Sequence, residues 1–144
     1  EIPDIAITTD IIVGFPGETL EQVQDTIDII KKVRYSSAFT FIYSKRTGTP
    51  AAQMENQVPE DVIKQGFNQV VETLNPIILE INQSKIGKIF KVLGEEYDSK
   101  TQTIKGRLED NSLVHFKGGE RLVEKICEIK IVDCKTFYLI GEVI

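Results

Sequence analysis

A chain of 144 residues with 41% hydrophobic and 27% charged residues has the make-up of one folded domain or two small ones, and this excludes an intrinsically disordered segment. Its apolar runs are short of the roughly 20 residues that cross a bilayer, and the N-terminus has neither the basic nor the apolar region of a signal peptide, so a cytoplasmic protein is expected. The net charge of -5 is uneven, because residues 1–83 hold 6 Lys/Arg against 12 Asp/Glu while residues 84–144 hold 11 against 10. That split predicts two units, 1–83 and 84–144, but is too weak to be the footprint of nucleic-acid binding by itself.

In chain order, residues 5–13 are rich in Ile and Val and bounded by turn residues at 14–17, which predicts a parallel strand buried on both faces. A helix follows. Thr19 with Gln22 makes a capping box, and Leu20, Val23, Ile27, Ile30 and Val33 recur at helical spacing to form one apolar stripe. "SAFTFIYS", 37–44, is a second strand with aromatics at 39, 41 and 43 on one face. After the loop "KRTGTPAAQMENQ", Pro59 suits the first turn of another helix, whose face continues through Ile63, Phe67, Val70, Leu74, Ile77, Ile78 and Ile81. Pro76 lies inside that run and removes a backbone donor, which predicts a kink or break near Asn75.

From Lys88 the period changes. "KIFKVLG", "TIKGRLE", "SLVHF", "EKICEIKIVDC" and "TFYLIGEVI" alternate in character and are separated by "EEYDSK", "EDN", "KGGE" and "CK". They predict a five-stranded antiparallel barrel of OB or SH3-like size. Cys127 and Cys134 match neither a disulfide framework nor a CxxC metal knuckle and are expected to be buried free thiols.

The junction "VGFPGET" carries the first chemical signal. Gly14 and Gly17 fall at the carboxyl end of a parallel strand, where α/β folds hold ligands, and the helix start at Thr19 offers backbone donors and a positive dipole end to a carboxylate or phosphate. The alternative is a tight strand-to-helix turn and nothing more. No Gly-Lys-Ser/Thr follows and a third glycine is missing, which excludes a P-loop and a Rossmann fingerprint.

"TTDIIVGFPGET", "SAFTFIYSKRTGTPAAQM" and "VPEDV" together resemble the second half of the radical S-adenosylmethionine barrel in MiaB-type tRNA methylthiotransferases, and residues 84–144 resemble their C-terminal TRAM domain. The resemblance implies an α/β plus all-β chain: part of a (β/α) partial TIM barrel, then a small OB-like barrel. It implies an enzyme that adds a methylthio group to carbon 2 of N6-dimethylallyladenosine next to the tRNA anticodon, with S-adenosylmethionine and two 4Fe-4S clusters as cofactors. The cluster-binding cysteine motifs of the family do not occur in these residues, so the expectation is a C-terminal fragment without catalytic residues or metal ligands, inactive alone. Its expected partners are the tRNA anticodon arm and the remaining domains of the same enzyme, and no membrane.

By the same resemblance, Ile12, Gly14 and Phe15 line the adenine side of S-adenosylmethionine. Asp10 either hydrogen-bonds cofactor or substrate or caps a neighbouring element. Tyr43 joins this wall, whereas Phe41 is expected to pack against the helix layer. Lys45 and Arg46 stand in a loop where the family shows "SPRPGTPAA", and either contact RNA phosphates or are merely solvated. "IKGRLEDNSLVHF" resembles a segment that commonly reads "GRTRTNKLVHF", which makes Lys105, Arg107, Asn111 and His115 candidate RNA contacts and leaves Phe116 to the core. His115 serves either as such a contact or as a structural histidine. Glu109 and Asp110 add two negative charges here, which predicts weak RNA affinity for the isolated domain. Two further readings stay open: an RNA-binding module without catalysis, and a related methylthiotransferase acting on ribosomal protein or another tRNA adenosine. The two strands leave an exposed edge and an apolar face, from which dimerisation, domain exchange or partial disorder is expected.

Overall fold

The computed structural model describes residues 5–144, so the first four residues of the 1–83 segment lie outside the described residues. The chain divides into two compact units, Ala6–Ile77 and Ile78–Ile144, with the division inside one long helix. In the first unit, β1 (Thr8–Val13), α1 (Leu20–Val33), β2 (Ser37–Ile42), a single turn α2 (Pro50–Gln53) and the start of α3 (Glu60–Gln83) follow one another. β1 and β2 pair in parallel, with Thr8 opposite Ser37 and Val13 opposite Ile42.

The capping box forms as expected: the Gln22 amide donates to Thr19 Oγ1 at 3.3 Å and the Thr19 amide to Gln22 Oε1 at 3.1 Å. Val23, Ile27 and Ile30 of the predicted stripe are buried, while Leu20 in the first turn stays exposed. The helix ends at Arg34 in the left-handed conformation, whose amide bonds to the Ile30 carbonyl. β1, α1 and α3 meet at Gly66, where an added Cβ would lie 3.2 Å from Val23 and 3.3 Å from Val13. That three-way contact covers one side of β1 only. The strand is therefore not buried on both faces: Ile11 and Val13 are buried, but Ile12 between them is 55% exposed. It also starts three residues later than the pattern predicts, at Thr8.

α3 runs through Pro76 without a break. The proline removes one backbone hydrogen bond, but Val70, Leu74, Ile77 and Ile78 are buried on either side of it, and this burial outweighs one lost bond. Pro59 stands just before the helix instead of in its first turn, its carbonyl accepting from the Ile63 amide at 3.0 Å.

The second unit is a closed barrel of β3 (Ile89–Asp98), β4 (Thr103–Arg107), β5 (Leu113–Lys117), β6 (Ile126–Cys134) and β7 (Leu139–Val143), in the order β3-β4-β5-β7-β6. All five predicted strands are present. Their orientation corrects the antiparallel expectation, because β5 and β7 pair in parallel through Val114 and Leu139. Five strands closed into a ring cannot alternate in direction throughout, so at least one pair must be parallel. "EEYD", expected as a separator, belongs to β3, which continues past a bulge at Glu95; β6 has a second bulge at Val132.

Val92, Ile104, Leu108, Val114, Phe116, Ile129, Ile131, Cys134 and Leu139 fill the barrel, with Leu79 of α3 against them. Cys134 is buried as expected and burial pushes its thiol pKa up, with Asp133 adding to this and Lys135 opposing it. Cys127 is only half-buried. From the last turn of α3, the Asn82 side-chain amide donates to the Lys135 and Thr136 carbonyls at 3.1 and 3.0 Å and fixes the β6–β7 turn.

A Cβ at Gly141 would run into the side chain of the fully buried Ile129. Gly141→Ala is therefore expected to cost about 1–3 kcal/mol through overpacking, read as a lower urea midpoint of the barrel transition with an unchanged slope.

Candidate functional sites

Two surfaces emerge, one on each unit. In the first, alternation puts Thr8, Asp10 and Ile12 of β1 on the same side as Ser37, Phe39 and Phe41 of β2, with Asp10 opposite Phe39 and Ile12 opposite Phe41. This side is open: Phe39 is 64% and Phe41 51% exposed. Phe41 therefore does not pack against the helix layer, since the helices lie against the other face of β1. The Asp10 carboxylate is exposed and makes no hydrogen bond among the described residues, so it caps no neighbouring element. At the end of the strands, the Phe15 and Tyr43 rings meet edge to face with centroids 5.4 Å apart. The Tyr43 backbone is fixed by its amide donating to the Val13 carbonyl at 2.8 Å. Its hydroxyl is buried and has no partner among the described residues, an arrangement that costs free energy until a donor or acceptor arrives.

In the glycine turn three amides have partners within the chain: Gly14 donates to Glu18 Oε2 at 2.5 Å, Gly17 to the Asn56 carbonyl at 2.8 Å, and Glu18 to the Phe15 carbonyl at 2.9 Å. With Thr19 taken by Gln22, these donors are not free for an anion. The glycines are needed for the turn itself. Gly14 has φ +84°, and a Cβ there would sit 2.7 Å from Ile63. Lys45 and Arg46 are exposed on the following loop, and the Arg46 carbonyl accepts from Thr49 Oγ1 at 2.8 Å where Thr49 caps α2.

On the barrel, Thr103, Lys105 and Arg107 of β4 and Leu113, His115 and Lys117 of β5 alternate outward, with Lys105 directly opposite His115. Nearby carboxylates restrain the cations: Lys105 Nζ lies 3.5 Å from Glu96, and Arg107 Nε 3.4 Å from Glu95. Arg107 Nη1 also donates to the Asn111 carbonyl at 3.0 Å. Asn111 itself takes a positive φ of 65° in the β4–β5 turn, so its backbone shapes the turn that seats Arg107. His115 packs edge to face against Tyr138, centroids 5.1 Å apart and planes at 82°. Burial, and then the charge of Lys105, lower the His115 pKa below its usual value, so the imidazole is neutral at pH 7. Beside it opens a cavity of about 280 Å³ lined by Glu96, Asp98, Thr103, Lys105 and His115. Sequence motifs singled out Lys105, Arg107, Asn111 and His115, which share this surface. They missed Tyr138, Lys117 and Glu96; the outward alternation of β5 was the available signal for Lys117.

Asp110 has a different part from the one its charge suggested. It pairs with Lys85, whose Nζ lies 2.5 Å from Asp110 Oδ2 and 2.6 Å from Ser112 Oγ, and the Ser112 amide donates to Asp110 Oδ1 at 2.9 Å. The Lys85 side chain is only 11% exposed. Asp110 is thus neutralised and adds no net negative charge to the surface, while Leu108 lies in the core.

A family model described as the TRAM domain matches residues 83–144, the span that holds every strand of the barrel. The barrel is the part of the chain that matches the TRAM domain. Around and beyond this TRAM barrel, the chain is 50% identical over 142 residues, 98% of its length, to the tRNA-2-methylthio-N(6)-dimethylallyladenosine synthase of Lachnoclostridium phytofermentans, covering 31% of that protein. It is 52% identical over 145 residues to the protein of that name from Alkaliphilus oremlandii, covering 99% of this chain and 31% of the relative. For Acetivibrio thermocellus the identity is 50% over 144 residues, with 99% and 30% covered. The resemblance to MiaB-type methylthiotransferases is borne out along the whole chain, which spans about a third of the length of these relatives. Among the described residues, no group of three or more His, Cys, Asp or Glu is placed to hold a metal ion, and no helix is long and apolar enough to cross a membrane.

Removing the Asp110 carboxylate strands a buried ammonium. Asp110→Ala is expected to destabilise the TRAM barrel by about 3 kcal/mol, measured by urea unfolding. Burial raises the Asp110 pKa, but hydrogen bonds from Lys85 and Ser112, with the Lys85 charge, outweigh burial and hold the net value below the usual one. Its contribution is therefore fully present above the unfolded carboxylate value of about 3.9 and is lost as pH falls through the lower folded value. The wild type should lose this increment on acidification, and Asp110→Ala should not.

Proposed function

We propose that the chain is the C-terminal part of a tRNA-2-methylthio-N6-dimethylallyladenosine synthase. Residues 1–83 supply one wall of the cofactor chamber as the end of a radical S-adenosylmethionine partial barrel, and residues 84–144 dock the anticodon arm of tRNA. The observation that carries this reading is similarity along nearly the entire chain to synthases of that name.

The wall fits the flat part of an adenosyl group. Ile12, Phe15 and Phe41 present apolar and aromatic surface at the strand ends, Gly14 makes the turn that sets Phe15 beside them, and the Tyr43 hydroxyl lacks a partner among the described residues. Asp10 lies on the same face and is placed to accept a hydrogen bond from a ribose or amino group. The Gly14, Gly17 and Glu18 amides of the turn are already bonded, so they do not hold the amino-acid carboxylate of the cofactor. In this family S-adenosylmethionine at an iron-sulfur cluster supplies the hydrogen abstraction and the methyl group needed to methylthiolate carbon 2 of the adenosine. The share of these residues is to bind and orient the ring system and keep water from it, and the chain alone is inactive.

On the TRAM barrel, Lys105, Arg107 and the exposed Lys117 are the phosphate contacts, Asn111 holds the turn beside them, and Lys45 and Arg46 add a basic loop from the first unit. The protein works in the cytoplasm, where tRNA is modified.

A labelled anticodon stem-loop bearing N6-dimethylallyladenosine, titrated with the whole chain at two salt concentrations, tests the docking reading. Salt-sensitive binding is expected, with Lys105→Ala and Arg107→Ala each reducing the log-log salt slope by about one. Binding unaffected by either substitution, or no binding at all, would remove the assignment of RNA docking to this face.

A further inference from the structure

The His115–Tyr138 ring pair is not explained by phosphate docking. Both rings are only part-buried on the outside of the barrel, so they do not serve the core, which is filled by Phe116 and its neighbours. The cavity next to His115 is walled by the Glu96 and Asp98 carboxylates and by Lys105, whose charge toward the cavity is offset by Glu96 at 3.5 Å, so the interior of the cavity does not favour a phosphate. Asp98 is already engaged, since its two oxygens accept from the Lys100 amide and the Thr101 hydroxyl at 2.9 Å each. What such a cavity admits is an uncharged ring, with phosphates left to Arg107 and Lys117, which do not line it. A neutral imidazole at pH 7 agrees with this, because it offers a π face instead of a charge.

The geometry points to Tyr138, braced edge to face by His115, as a ledge on which one unpaired nucleobase of the RNA stacks, with Arg107 and Lys117 holding the flanking phosphates. Unpaired bases are read in this way on aromatic and histidine side chains, and the base need not be specified by sequence. Arg107 and Lys117 stand two residues from Lys105 and His115 on the same outward faces of β4 and β5. The turn that carries Tyr138 is held by three bonds: the Tyr138 carbonyl accepts from the Lys135 amide at 2.8 Å, and the Asn82 side chain donates to the carbonyls at 135 and 136. A ledge fixed in advance loses little side-chain freedom on binding. The inference rests on the RNA-docking reading and adds to it a base contact with a different salt signature.

The test uses the whole chain, an RNA stem-loop with 2-aminopurine in its loop, and a fully paired duplex of similar length. Tyr138→Leu keeps apolar volume but removes the π face, and Tyr138→Phe keeps the face. Tyr138→Leu is expected to weaken stem-loop binding about tenfold at both salt concentrations, with the slope unchanged. It should abolish the quenching of 2-aminopurine on binding and leave duplex affinity alone. Tyr138→Phe should stay within about twofold of wild type and keep the quenching, and His115→Ala should follow the Leu variant. Wild-type affinity and quenching in Tyr138→Leu, with Arg107→Ala still lowering the slope, would overturn the ledge while sparing RNA docking. Equal loss on stem-loop and duplex would also overturn it. If Arg107→Ala has no effect, or the wild type binds neither RNA, the docking reading falls and the ledge with it.

Discussion

Closure of the barrel is the constraint on which the C-terminal unit depends. A ring of five strands must contain a parallel pair, and the chain meets this by inserting β7 between β5 and β6. Ring closure also requires the strands to bend, which the bulges at Glu95 and Val132 supply. Where strands cross closely, glycine is needed: a Cβ at Gly106 would come 2.6 Å from the Leu93 carbonyl oxygen. Once the ring is closed, period-two alternation sends Ile104, Val114 and Phe116 inward and Lys105, Arg107 and His115 outward. The outward row of Lys105, Arg107 and His115 is thus a by-product of the same register that builds the core.

The first unit is built by a looser rule. Two parallel strands are covered on one face only, by α1 and α3 packing at Gly66 and Val13. Parallel sheets are normally covered on both faces, so the exposed row of Ile12, Phe39 and Phe41 is the feature of this unit that its own residues do not satisfy. The same holds for the Tyr43 hydroxyl. The glycine turn, by contrast, is closed within itself through Glu18 and Asn56. What this unit leaves unsatisfied is the strand face and the Tyr43 hydroxyl, not the Gly14 and Gly17 amides.

Much of the fold was legible because it depends on local patterns. The capping box at Thr19, the stripe on α1 and the five alternating segments each encode their element through spacing that a short window contains. Pro76 was misleading because a breaker in sequence has a fixed local cost, whereas the burial of Val70, Leu74, Ile77 and Ile78 around it is a sum over partners that the window does not hold. Asp110 was misleading for a similar reason. Its charge is visible in sequence, but its partner Lys85 is 25 residues away, and only the fold brings them together.

By itself, then, the sequence determined the element types, the change from helical to alternating period near Lys88, the resemblance to methylthiotransferases, and the outward alternation that puts Lys105, Arg107 and His115 on one face of the barrel. The odd strand count already forced a parallel pair on any closed ring; which pair it would be was decided by the order in which the strands close. Tertiary structure alone decided that Phe41 faces outward, that the Gly14 and Gly17 amides are already bonded, that Asp110 is neutral in effect, and that Tyr138 lies against His115. The physical reason is common to all of these. Periodicity and capping are set by neighbours within a turn or two of chain, while burial, charge pairing and ring contacts depend on which distant residues the closed fold brings within a few ångströms.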